Sequence, residues 1–113
     1  MKKILVLVAL LGICLAVYGH AASEIANAKY TAKTKTLSFS FTHVVRDPAA
    51  HFIQGIQIRL NDVTIISQVA SAQDTANGGD FLYKIPNLKK GDVLDIILDC
   101  NKGGRESAKL VLK

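Results

Sequence analysis

The sequence predicts an all-β fold, a two-sheet sandwich of about seven short strands. Three observations carry that prediction. Beyond residue 22, apolar and polar residues alternate with a period of two in one segment after another. No stretch there sustains a helical repeat over about ten residues. Gly, Pro, Asn and Asp punctuate the chain between the alternating runs, as turn residues do.

The chain begins with a leader rather than a strand. Lys2 and Lys3 form a basic start, an apolar run extends from Ile4 to Val17, and small residues follow at Gly19, Ala21, Ala22 and Ser23. This is the layout of a signal peptide over residues 1–21, cleaved after Ala21, leaving residues 22–113 as one domain. The apolar run is about fourteen residues where a spanning helix needs about twenty, so a retained anchor is disfavoured and no membrane attachment is expected after cleavage. Lipidation at Cys14 is disfavoured too, because Ile13 is bulky and Cys14 sits inside the apolar run rather than at its end. The expected location is the periplasm or the exterior.

A first strand is expected around Ile25 to Tyr30, and the Lys/Thr run to Thr36 reads as a hairpin turn. In Leu37-Ser38-Phe39-Ser40-Phe41-Thr42-His43 the odd positions are apolar and the even ones hydroxylic, so one face packs and His43 closes it. Pro48 lacks a donor and makes Arg46 to Ala50 a loop. In the next strand Phe52, Ile56, Ile58 and Leu60 are expected to share the packed face, with Gln57 and Arg59 pointing away. Asn61-Asp62 is a tight turn into a returning strand, Val63 to Val69. Ser71 to Asp80 reads as loop, with Asn77-Gly78-Gly79-Asp80 its strongest signal. Phe81, Tyr83 and Ile85 alternate before Pro86 ends that strand. After a turn at Leu88 to Asp92, Leu94, Ile96, Leu98 and Cys100 share one face, with Asp95 and Asp99 on the wet side. Asn101 to Gly104 reverses the chain, and Ala108, Leu110 and Leu112 line the inner side of a last strand. The count and spacing favour an immunoglobulin-type sandwich, with a small barrel as the alternative.

Composition narrows the function. With Lys2 and Lys3 gone, the 14 basic residues fall to 12 against 9 acidic ones, a net charge of about +3. The basic residues are scattered and not interleaved with aromatics, so no nucleic-acid partner is expected. Carboxylate pairs such as Asp92 and Asp95 do not share a strand face, and the Gly78-Gly79 and Gly103-Gly104 doublets lack a phosphate-binding context and read as hairpin geometry.

Cys100 is the single cysteine of residues 22–113 and has no internal disulfide partner there. With His43 and His51 it makes up the soft and borderline metal donors of that stretch, and all three fall at strand ends, where a sandwich gathers its loops. A thiolate with imidazoles suits iron, copper or zinc. The competing reading makes Cys100 a small buried hydrophobe and the histidines a strand cap and a loop residue. A Cys100–His51 nucleophilic pair oriented by Asp47 or Asp99 is weaker, because no helix N-terminus lies nearby to activate the thiol.

The stretch from His43 through Asp47-Pro48-Ala49-Ala50-His51-Phe52-Ile53 to Ile56, with Cys100-Asn101-Lys102-Gly103-Gly104, resembles the iron-binding domain of the superoxide reductases, or desulfoferrodoxins. That resemblance implies an immunoglobulin-like sandwich, and iron held by His43, His51 and Cys100 among the family's four histidines and one cysteine. The family's histidine after the cysteine is Gly103 here, and its N-terminal histidine has no counterpart between Ala22 and Lys35. The implied function is an exported binding or accessory domain with a degenerate metal site, possession of iron depending on that site being retained, and without superoxide turnover. An iron-binding oxidoreductase of that family is the alternative. Pro48 to Ile53, Leu60-Asn61 and Asn101-Lys102-Gly103 are also similar to the Z subunit of the thiosulfate-oxidising carrier complex, a non-catalytic protein partner. Either non-enzymatic reading implies another periplasmic or extracellular protein as partner.

Mass spectrometry of the natively expressed protein is expected to find a chain beginning near Ala22. An intact Met1, or a lipid on Cys14, would defeat the leader assignment.

Overall fold

Seven strands follow one another in a computed structural model that describes residues 23–113: β1 (Glu24–Thr31), β2 (Thr36–Thr42), β3 (Ile53–Leu60), β4 (Val63–Val69), β5 (Gly78–Lys84), β6 (Val93–Cys100) and β7 (Arg105–Val111). The expected leader, residues 1–21, and its cleavage point lie outside the described residues. Two antiparallel sheets form, one ordered β1-β2-β5 and the other β4-β3-β6-β7. This is the expected sandwich, with the fourth strand paired to the third rather than to the fifth as in constant-type immunoglobulin domains.

The alternation read from the sequence is the core. Leu37, Phe39 and Phe41 from β2 face Ile56 and Ile58 from β3 and Leu94, Ile96 and Leu98 from β6, all buried. Phe81 stacks within 5.5 Å of Phe41 and 5.7 Å of Phe39, which carries the β2–β5 pair into the core. Asn61 and Asp62 both have positive φ, 47° and 70°, so the β3–β4 connection is a two-residue turn whose twist matches its strands. Gly103 and Gly104, at φ 105° and 101°, serve the β6–β7 reversal in the same way.

Two expectations need correction. Phe52 does not belong to the central core cluster; Ile53 does, at 1% exposure. A register shift between Ile53 and Gly55 against β6 inserts a residue, so Ile53 as well as Ile56 turns inward and Gln54 is expelled to solvent. The Asn77–Asp80 segment is not loop throughout, because Gly78, Gly79 and Asp80 already pair with Thr42, Phe41 and Ser40. The glycines are there for close approach: a Cβ on Gly78 would collide with the Phe41 carbonyl, and one on Gly79 would sit 2.7 Å from the Asp74 carboxylate.

The end of the sandwich formed by the Asn61 turn is closed by Asp92, which is 4% exposed. Its carboxylate accepts from the Lys89 N–H at 2.9 Å, the Asn61 amide at 3.1 Å and Lys89 Nζ at 3.0 Å. Asn61 in turn accepts from the Val93 N–H at 2.9 Å, so one acid ties the β5–β6 turn to the β3–β4 hairpin. These donors favour the ionised form and bring its pKa down to about 2 from an ordinary 3.8, the Lys89 N–H contributing most. A depressed acid pKa adds stability that is present above the unfolded value and is lost as pH falls through the folded one. Thermal stability is therefore expected to fall as pH drops from about 4 to about 2, and Asp92→Asn is expected to flatten that part of the profile. An unchanged acid limb in the variant would show that Asp92 does not carry this stabilisation.

Candidate metal centre

Each of the three donors predicted from the sequence reaches the same end of the sandwich by a different route. His43 follows β2 and stays on its inward face, 1% exposed, because its N–H bonds the Asn77 carbonyl at 2.9 Å and prolongs the β2–β5 pairing by one step. His51 comes from the loop around Pro48. There the Asp47 carbonyl accepts from the Ala50 and His51 N–H groups at 3.1 and 2.9 Å, and Asp47 Oδ1 accepts from Ala49 N at 2.9 Å, winding a tight turn that ends on His51. Cys100 is the last residue of β6, directly opposite Ile53. The donor atoms of the three side chains lie within 4.8 Å of one another. His51 Nε2 is 3.2 Å from Cys100 Sγ, and the two imidazole rings meet edge to face at 4.9 Å and 87°.

Two residues that sequence reasoning did not single out hold this arrangement. Gln73, 7% exposed, donates through Nε2 to the carbonyls of His43 and Thr75 at 2.7 and 2.9 Å. Its Oε1 accepts from the Ile53 N–H at 3.2 Å and lies 2.9 Å from His43 Nδ1. Because both amide hydrogens go to carbonyls and Ile53 supplies a donor, the oxygen must face His43, and His43 Nδ1 must carry the proton. Its Nε2 is thereby left as the lone-pair nitrogen, the usual work of an outer partner to a metal-binding histidine. Nothing marks Gln73 in the polar, small-residue run from Ser71 to Asp80, which the sequence reading took for ordinary loop.

Asn101 anchors the backbone around His51. Its side chain accepts from the Phe52 N–H and donates to the Ala50 carbonyl, both at 3.0 Å, clasping the residues on either side of His51 beside Cys100. Asn101 N also bonds the Phe52 carbonyl at 3.0 Å. Lys102 N–H points at Cys100 Sγ at 3.4 Å, a donor that a thiolate accepts well. The acids considered for a Cys100–His51 pair have other tasks: Arg105 takes Asp99 at 2.7 and 3.2 Å, and Asp47 caps its own turn.

The donor set, one sulfur and two imidazoles, fits a transition metal of intermediate softness. It does not reproduce the five-ligand iron site of the superoxide reductases. Gly103 offers no side chain at the position of the family's histidine, and β1 turns Ile25, Ala28 and Tyr30 toward the core with no histidine among them. No known family model matches this sequence, and no curated protein does.

Replacing Gln73 by Ala is expected to lower metal affinity by about 10- to 100-fold, the usual effect of losing an outer partner of a ligand histidine. Nitrogen-15 NMR is expected to show His43 protonated at Nδ1 in the parent and mixed between tautomers in the variant. Unchanged affinity and tautomer at a temperature where the variant is folded would reduce Gln73 to a packing role.

Proposed function

We propose that this chain is an exported, metal-associated accessory domain whose site is a reduced form of the one in superoxide reductase-like sandwiches. The observation that carries the reading is the convergence of His43, His51 and Cys100 at one end of the sandwich, held by partners that orient the donors.

The absence of superoxide turnover follows from ligand number. Three protein ligands neither impose the family's geometry on iron nor leave a single open position, and both are needed for one small oxidant to bind at a defined place. His51 is the base beside Cys100, and the acids Asp47 and Asp99 that would orient it in a nucleophilic pair are engaged elsewhere. A domain of this kind acts through what it holds and what it meets, and the expected partner is another protein of the periplasm or the exterior.

Metal analysis of protein purified without a histidine tag is expected to find bound transition metal that is lost in Cys100→Ser. Superoxide consumption by the parent is expected to remain at the spontaneous rate. Near-stoichiometric iron together with rapid superoxide reduction would move the assignment to the oxidoreductase alternative.

A further inference from the structure

Resting on that reading of the site, we infer that the ion it is built for is copper, held by His43, His51 and Cys100 in a three-coordinate His₂Cys arrangement.

The first reason is donor number. Among the described residues the polar side chains that bond at this end are already committed. Gln73 Oε1 serves Ile53 and His43, Asn101 clasps Ala50 and Phe52, and Asp99 is held by Arg105. Methionine is absent from residues 23–113. Among the described residues no fourth His, Cys, Asp or Glu joins the three, whereas structural zinc takes four ligands and the iron of the superoxide reductases takes five. Trigonal His₂Cys coordination is characteristic of copper, whose fourth contact, where it exists, is long and weak.

The second reason is the surroundings. His43 is 1% exposed with its ring edge against His51, which walls one side of the donor triangle. His51 and Cys100 are half-buried and leave the other side open to an entering ion. Donors on one ion, at bond lengths of about 2.0 to 2.3 Å, lie about 3.3 to 3.7 Å apart. The His51–Cys100 pair, at 3.2 Å, is within about half an ångström of that spacing, and the widest separation, within 4.8 Å, needs to close by only about an ångström.

The third reason is intrinsic affinity. For nitrogen and sulfur donors, copper exceeds both zinc and iron unless geometry opposes it, and a thiolate additionally favours the monovalent ion. Nothing in this triangle opposes it.

The test is an anaerobic competition in which tag-free full-length protein, processed as the cell leaves it, is offered equimolar Cu(I), Zn(II) and Fe(II), desalted and analysed. One copper per chain is expected, and subsequent oxidation is expected to produce an intense visible thiolate-to-copper absorption. Cys100→Ser should abolish that absorption, and His43→Ala should lower copper retention at least about tenfold, with circular dichroism confirming that both variants are folded. Zinc or iron held in preference to copper would overturn the copper inference and leave the metal-associated reading standing. Failure to retain any of the three metals would overturn both. Copper retained undiminished by either variant would place it elsewhere and likewise sink the inference.

Discussion

The pairing of β3 with β6 is the constraint on which the rest of the molecule depends. Ile56 lies opposite Leu98, Ile58 opposite Ile96 and Leu60 opposite Leu94, and the same ladder sets Ile53 opposite Cys100. One register therefore determines both the apolar centre and the sulfur's position two residues along from His51. Side chains alternate across a sheet, so a slip of one residue would send Ile56, Ile58, Ile96 and Leu98 toward water and turn Cys100 away from the histidines. Losing several such side chains from the interior costs more than a domain of this size can tolerate, since each is worth about 1.5 to 3 kcal/mol on burial. The site inherits its geometry from a register that hydrophobic burial enforces.

The two ends of the sandwich are closed by polar groups of different kinds. At the far end a single ionised acid, Asp92, gathers donors from two connections and holds them together. At the other end the neutral amides of Gln73 and Asn101 join the loops, satisfying backbone groups that burial would otherwise strand. Neutral partners leave the donor triangle free of a competing carboxylate. They also give each imidazole a defined setting before any ion arrives, so little of the binding energy goes into ordering the ligands. Gln73 reaches both His43 and the first residue of β3, and it couples the bulge that turns Ile53 inward to the tautomer of a metal donor.

Compared with the site that the resemblance implies, the three candidate ligands present are ones that the β-scaffold itself positions. His43 and Cys100 sit at strand ends, and His51 sits on a turn tied to one. The absent positions are in the β6–β7 reversal, where Gly103 takes a positive φ, and in the N-terminal region, where β1 contributes packing residues. The scaffold thus gathers three candidate donors at one end of the sandwich.

Strand number, strand faces and the turn at Asn61-Asp62 were legible in the chain because each is a local property: alternation with period two marks a face, and residues that accept positive φ mark a turn. The three donor residues were legible as well, since so few soft donors are present, and their placement at strand ends pointed to one edge of the sandwich. Other features depended on contacts between distant segments. Gly78-Gly79 has the local signature of a loop, and it is strand because it pairs with β2, with the Phe41 carbonyl against Gly78 and the Asp74 carboxylate against Gly79 leaving no space for a side chain. Ile53 joins the central cluster, while Phe52 is buried outside it, because of a bulge that exists only where β3 meets β6. Gln73 is the clearest case: a glutamine in a polar run looks solvated, and it is buried because the ends of β2 and β3 leave backbone groups there that water cannot reach. The sequence by itself determined the sandwich and the identity of the donors, through periodicity and composition. Only the tertiary structure decided that the donors meet and which atom each presents, because distance and tautomer are set by hydrogen bonds between residues some 20 to 50 positions apart.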